Sequence, residues 1–524
     1  MTGSSFLAEL ARAGSDSTNR RWIYVPYDQL SDRIGPLAVE DPDEVGIVIV
    51  ESPAKAARRP YHKQKLALVL ASQRQFAIEQ ARRGVAVRHV VDERGFAPAL
   101  EDLAQELGPM RVMQPAEREL RVELADLVRG GALELLPHEG WLTTPTDFAA
   151  SHPEGAPWRM DAFYRHVRRT TGILMQDGKP IGGRFSFDTE NRKPWRGEPA
   201  APEVPRFRVD PVTAEVCELV EARFGAHPGD LDAAAIPASA SQVERLWDWA
   251  KRECLASFGP FQDAMSVRSS SLFHTRISAL LHLHRLLPRR VVDEVAALDL
   301  PIASREGFVR QVLGWREYVR HVHEATDGLR RSPTGERWDG APSMLGAERP
   351  LPPAFWGRAS GLDCLDHVVA SVWREGYGHH ITRLMVLSNI AQLLEVSPRE
   401  LTDWFWVAYV DAFDWVVEPN VLGMGTFAVG DAMTTKPYVA GSAYVHRMGD
   451  FCGECAFDPK VDCPLRELYW AFLARHESAL RDNPRLRMPF ASLRKRGADQ
   501  RRRDAEAFER VAAALARGES LSPD

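Results

Sequence analysis

Residues 45–91 read VGIVIVESPAKAARRPYHKQKLALVLASQRQFAIEQARRGVAVRHVV. Two β-branched runs, VGIVIV at 45–50 and VAVRHVV at 85–91, flank a stretch at 63–83 whose apolar residues recur at helical spacing. Nearly all-apolar strands joined through a helix form a βαβ unit with buried parallel strands. The pattern extends outward in both directions. WIYVPY (22–27) and ALELLP (132–137) read as further strands, and ALEDLAQEL (99–107) as a further helix. A doubly wound α/β domain is therefore expected over residues 20–145. No G-x-G-x-x-G follows the first strand, so the dinucleotide fingerprint is missing and the fold alone assigns no function.

Residues 146–238 lose this periodicity and are rich in Pro, Gly and Arg, which predicts an interdomain linker draped over the surface. From 239 to 490 helical patterns dominate, as in ASQVERLWDWAKRECLASF (240–258) and PRELTDWFWVAYVDAF (398–413), predicting an all-helical second domain. Residues 491–524 read as a charged amphipathic helix with a solvated basic face. Two domains are the expectation for 524 residues. No run approaches the ~18 apolar residues of a membrane span, and the start of the chain, lacking a signal peptide's apolar core, reads as a short helical extension. A cytoplasmic protein is expected. Its net charge of −6 gives no general attraction to nucleic acid, so any DNA contact must be local.

Six cysteines in so long a chain argue against a disulfide framework. Cys452, Cys455 and Cys463 cluster in DFCGECAFDPKVDCPLRELYW (450–470), a C-x2-C followed by Cys-Pro. Three thiolates lack a fourth ligand, for which spacing offers Cys364 or His446, and zinc and an iron–sulfur cluster both remain open. Cys217 and Cys254 read as core thiols. His379 and His380 are adjacent, so on a helix they point about 100° apart, with Arg383 one turn on. Such a pair is ordinarily surface or satisfied core; a general acid beside an anion-holding arginine is the sharper alternative. The aromatic stripe at 404–415 reads as core, yet it contains Asp411 and Asp414. A buried carboxylate needs a cation, and Arg383 is the candidate.

With these pieces placed, the chain resembles the photolyase–cryptochrome family, and within it the bacterial iron–sulfur branch that includes (6-4) photolyases. The resemblance covers about residues 20–490. It is carried by DQLS (28–31), DAFYRHVRRTTGILM (161–175), GGRFSFDTENRKP (182–194), RQVLGWREYVR (310–320), YGHHITRLMV (377–386), YVDAFDW (409–415), PNVLGM (419–424), TKPYV (435–439) and CPLRELYWAFL (463–473).

The resemblance implies FAD in the helical domain and a [4Fe–4S] cluster on Cys364, Cys452, Cys455 and Cys463. It implies light-driven repair of (6-4) pyrimidine–pyrimidone photoproducts in UV-damaged DNA, by a monomer acting away from membranes. Thr275, Arg276 and Ser278 would lie near the FAD phosphates. Trp315 and Arg316 would flank flavin and lesion, and Asn420 would belong to the same pocket, where Glu418 displaces a family acid. Arg383 and Asp411 match a charge pair beside the flavin ring. Trp404 and Trp356 match an electron path, with Phe405 where the family has tyrosine. His380 would be the acid, with His379 its neighbour and Tyr438 and Tyr444 nearby. A lumazine antenna is disfavoured. Tyr27 replaces a glycine that lets a flat ring approach, and Lys55 and Arg58 replace an acid and a tyrosine; an anionic pigment such as a folate, or none, is expected instead. The competing readings are a cryptochrome-type photoreceptor without repair and a structural nucleic-acid-binding relative without photochemistry.

Overall fold

The computed structural model describes residues 4–14 and 20–523. Five parallel strands, β1 (Arg21–Tyr24), β2 (Val45–Glu51), β3 (Ala86–Val91), β4 (Met110–Met113) and β5 (Leu133–Leu136), form a sheet in the order β3-β2-β1-β4-β5. β2 lies between β3 and β1 and is buried at every position, as its largely apolar sequence requires. β3 is an edge strand and only half-buried, so its apolar run does not reflect two covered faces as expected. β4 has no counterpart among the strands read from sequence: four residues that include Arg111 are too short to show a period.

Alternation along β2 splits the core. Ile47 and Ile49 face a small cluster capped by Phe6 and Leu10 of the N-terminal helix Ser5–Ala13, the expected helical extension; residues 1–3 and 15–19 lie outside the described residues. Val48 and Val50 face the opposite way, into a core that runs on without a break through the helical half to Trp404 and Leu465. Buried Lys65 reinforces this junction. From the helix Lys63–Arg82 its side-chain nitrogen donates to Trp406 O (3.1 Å) and Ala412 O (2.5 Å).

Residues 146–238, read from sequence as an interdomain linker draped over the surface, carry helices of their own. They contain the helices Met160–Thr171 and Pro211–Phe224, the latter packed against Lys63–Arg82. Arg168, fully buried, shows why the sequence misled. Its polar guanidinium is satisfied by the carbonyls of Ile173, Leu174 and Phe185, inside a segment whose composition reads as exposed. The C-terminal helix Ala498–Ala516 keeps Arg502 and Arg503 exposed and docks by its apolar face. Phe508, Val511 and Leu515 are buried, Arg475 lies 3.5 Å over the Phe508 ring, and Arg496 pairs with buried Asp504 (2.6 and 2.8 Å). The tail beyond it returns to the helical half, where Leu521 N donates to Ser360 O (2.8 Å). Among the described residues no helix is long and apolar enough to cross a membrane.

Glu51 ends β2 with its carboxylate buried, held by both arms of Arg74 (2.7 and 2.9 Å) and by His89 (2.9 Å). Burial pushes its pKa up, but the hydrogen bonds and charges of Arg74 and His89 outweigh that and hold it at about 2, below the ordinary 4.5. A depressed carboxyl contributes stability in full above 4.5 and loses it as pH falls towards 2, in total about 3 kcal/mol. Glu51→Gln should therefore be clearly destabilised in melts at pH 7, and its deficit relative to wild type should narrow between pH 4.5 and 2.

Candidate active site

The helical half encloses a cavity of about 290 Å³. Three widened, π-type helical turns form much of its wall: Arg310–Arg316, Thr382–Ser388 and Pro419–Gly425. Such turns present side chains that a regular helix would rotate away, and they recur at functional sites. The first delivers Trp315 and Arg316, the second Arg383, the third Asn420, and Thr275, Arg276, Ser278, His379, His380 and Asp411 complete the wall. These widened turns have no sequence signature, whereas the residues they carry were legible.

Arg383 and Asp411 form a bidentate pair (3.0 and 3.0 Å). Ser278 Oγ donates to Asp411 (2.6 Å), and Arg383 Nε donates to Gly378 O (2.6 Å). Burial would raise the Asp411 carboxyl, but Arg383 outweighs it and the group stays ionised. Arg316 donates to Glu317 (2.8 Å) and Leu281 O (3.2 Å) beneath the rings of Trp141 and Trp415, leaving its buried Nε without a protein partner. Burial lowers its pKa to about 10, so it remains a cation. Arg276, by contrast, is committed to Glu375 (2.8 Å) and Ser271 (2.9 Å), and its backbone is left-handed at φ 57°. A phosphate role for Arg276 would have to compete with Glu375.

Gly376 (φ 61°) ends the helix Asp363–Glu375 and turns the chain so that both histidines reach the cavity; a side chain there would strike Val410. His379 is buried and stacks flat on His274, ring centroids 4.5 Å apart, with its Nδ1 unpartnered. His380 turns the other way, towards solvent. Desolvation and then Arg383 lower His380 to about 4; its solvent-facing position weakens the first cause but not the second. A neutral ring at pH 7 can act as an acid only when nearby negative charge raises its pKa.

Other expected residues lie outside this wall. Tyr438 and Tyr444 do not line the cavity; Tyr438 sits under the influence of Asp188, Arg485 and Arg192, and Asp188 also acts on His380. Glu418 is withdrawn altogether, buried between His323 (3.0 Å), Arg330 (3.2 Å) and Arg399 (3.1 Å), which leaves Asn420 as the polar group of that motif on the wall. Trp404 is fully buried behind cavity-lining Phe405, and Trp356 is 49% exposed at the surface.

Cys364, Cys452, Cys455 and Cys463 line one small apolar cavity with Leu362, Phe451 and Phe457. Cys364 starts the helix Asp363–Glu375 and Cys463 precedes Pro464–Arg475. His446 is exposed and does not line it. Among the described residues no three His, Cys, Asp or Glu side chains converge as a group able to hold a metal ion. Cys254 is a buried thiol as expected, and Cys217 is half-buried.

A second cavity of about 80 Å³ lies where the expected antenna would sit, between the ends of β1 and β2. Tyr27 occupies this place. Its hydroxyl donates to Glu117, and its ring stacks on Phe413 (6.4 Å) beside Phe96 (5.7 Å). Lys55 is spent on Glu117 (3.0 Å) and Glu119 (2.9 Å), and Arg58 on Glu123 (2.8 Å). The added positive charge is thus neutralised within the protein, which removes the reason for expecting an anionic pigment. The space left falls well short of the ~300 Å³ of ordinary small-molecule pockets, and these residues do not fit a lumazine.

A family model described as deoxyribodipyrimidine photo-lyase-related protein matches residues 23–235. A (6-4) photolyase of Agrobacterium fabrum is 33% identical over 505 residues, 90% of this chain and 95% of that protein. An uncharacterised protein of Acanthamoeba polyphaga mimivirus is 38% identical over 66 residues, 13% of this chain and 54% of that protein. The fold is shared with the crystal structure of a bacterial class III photolyase from Agrobacterium tumefaciens, at a TM-score of 0.52 and 15% identity over 97% of this chain and 99% of that one. The chain belongs to the photolyase family. FAD is the cofactor this membership implies. The large cavity fits it, with an ionised pair, an unpartnered guanidinium Nε and an unpartnered imidazole nitrogen set in apolar walls.

Denaturing the purified protein should release flavin and no equimolar second pigment, read by separating the supernatant chromatographically. Equimolar lumazine or folate would show that the Tyr27 site opens.

Proposed function

We propose that this protein uses light to repair (6-4) photoproducts in DNA. The observation that carries the reading is the placement of His379, His380 and the Arg383–Asp411 pair on one cavity wall, with His380 facing outward. The 33% identical Agrobacterium fabrum protein, itself named a (6-4) photolyase, supports it.

Reduced FAD, when bound and excited, supplies the electron. The chain's own residues do the rest. Arg383 would keep positive charge beside a negatively charged flavin ring, and Asp411 and Ser278 fix its position. A lesion inside the duplex is out of reach, so the damaged bases must be flipped towards the mouth where His380 lies. Asp188 and the added negative charge of lesion and phosphates would raise His380 from about 4 and let it hold a proton for the lesion. Lys436 offers a local counter to the acidic chain: burial, then neighbouring Arg485 and Arg192, depress its pKa, which marks a basic cluster that phosphates would relieve.

The same reading assigns the four clustered cysteines to a [4Fe–4S] cluster. Four thiols that line one apolar space, with the Cys-Pro at 463–464, support an iron–sulfur unit. Iron analysis of anaerobically purified protein should give about four irons per chain with matching acid-labile sulfide. One zinc without sulfide would refute the assignment.

Blue light should restore (6-4)-containing oligonucleotides in the presence of the photoreduced wild type. His380→Ala should retain FAD and lose repair by about a hundredfold or more. A wild type that binds FAD and photoreduces but repairs nothing would make the photoreceptor the better reading.

A further inference from the structure

The chain is acidic as a whole, yet between Arg481 and Arg503 it carries nine arginines and lysines against two aspartates. Part of this charge is spent inside the protein. Arg496 is held by buried Asp504 and Arg502 by Asp499 (2.8 Å), while Arg501 donates to Leu493 O (3.0 Å). Arg485, Arg487, Arg494, Lys495 and Arg503 are exposed, and among the described residues none of them is in an ion pair with a carboxylate. Other exposed arginines, such as Arg82, Arg88 and Arg94, do find acidic neighbours. The helix Arg487–Arg494 sets the spacing of the uncompensated row, with Phe490 and Leu493 buried beneath it. Arg487 and Arg494 share its outer face, about 10 Å apart along the axis, or roughly three base-pair steps of a duplex. The row starts beside the mouth of the large cavity. Asn483 Nδ2 donates to Thr435 O (2.8 Å), which anchors the turn Pro484–Leu486 next to Lys436. Arg485 and Arg192 both bear on Lys436, and Arg192 pairs with Asp188, which acts on His380.

We propose that Arg487, Arg494 and Lys495, with Arg485 at their head, form a separate holding surface for the phosphate backbone of undamaged duplex on one flank of the lesion. This rests on the reading of the protein as one that acts on DNA, and it is independent of which lesion is repaired. Flipping damaged bases into the cavity distorts the duplex, and phosphates gripped on the flank keep the strand in register meanwhile. Arginine suits the task, because its guanidinium stays charged and can take two phosphate oxygens at once. The competing occupant of a basic face is an anionic membrane. A helix that lies on lipid offers a broad apolar face to it. Here that face is spent on the core through Phe490 and Leu493, and Met488 is the one large apolar side chain of this helix that is exposed. The arrangement favours the duplex.

The test is binding of an undamaged duplex of about 30 base pairs to the FAD-loaded protein in the dark, read by fluorescence anisotropy between about 50 and 200 mM salt. The triple variant Arg487→Gln, Arg494→Gln, Lys495→Gln should bind about tenfold or more weakly at the low-salt end. Its salt slope should fall by about three, with FAD content and melting temperature kept. Removing three exposed charges elsewhere, by Arg12→Gln, Arg82→Gln and Arg129→Gln, should change binding less than about threefold, since salt screens distant charges. If the first triple variant binds within threefold of wild type, or if both triple variants lose affinity equally, the surface is wrong. Wild-type binding to phosphatidylserine vesicles but not to duplex would overturn it in favour of a membrane. If the first triple variant melts early, Arg487→Gln decides alone, because that side chain is exposed: a slope lowered by about one sustains the proposal, and an unchanged slope overturns it. Because the duplex is undamaged and no light is used, failure of (6-4) repair would leave this result standing.

Discussion

The buried ion pair of Arg383 and Asp411 is the interaction around which the helical half is organised. Each partner alone would be an uncompensated charge in an apolar interior, and removing one from such a pair typically costs 3–5 kcal/mol (~4). The pair joins three parts of the chain: the widened turn after the histidines, the end of the aromatic stripe, and Ser278 at the start of the helix Ser278–His282. Arg383 also lies 3.9 Å over the Tyr409 ring, and the Asp411 backbone carbonyl is hydrogen-bonded to His282 (2.9 Å). A cation is thereby fixed on a wall that is otherwise mostly hydrocarbon, and a ligand that gains electrons would feel it most.

Much of this was open to reading in the sequence, for definite reasons. β2 is apolar from Val45 to Val50 because both faces are covered, so this run needed no context. Asp411 within an aromatic stripe demanded a cation, and Arg383 is that cation. The failures have causes of the same kind. Arg168 and the helices of residues 146–238 are polar in composition, and only the fold supplies the carbonyls and neighbours that let them be buried. The C-terminal helix shows its amphipathic pattern in sequence, but not what its apolar face meets: Phe508 between Arg349 and Arg475 is a contact across more than thirty residues and leaves no local mark.

The two cavities show one scaffold treated in two ways. In the helical half, polar groups are left without protein partners at the wall, as a site awaiting a ligand requires. At the sheet, the corresponding groups have found partners in each other: Tyr27, Lys55, Glu117 and Glu119 close a network, and the rings of Phe96 and Phe413 line the small space that is left. The position is kept by the fold, while its recognition chemistry has been turned inward.

The three widened turns carry a consequence for how this protein can change. A π-type turn is a helix with one residue more than its regular path needs. Removing a single residue from Arg310–Arg316, Thr382–Ser388 or Pro419–Gly425 would let the regular helix re-form and swing every following side chain by about 100° relative to those before it. The cavity wall should accordingly be tolerant of many exchanges of one side chain for another and intolerant of lost positions. Among relatives that keep the site, length should be held more strictly in these three short segments than the identity of the residues within them.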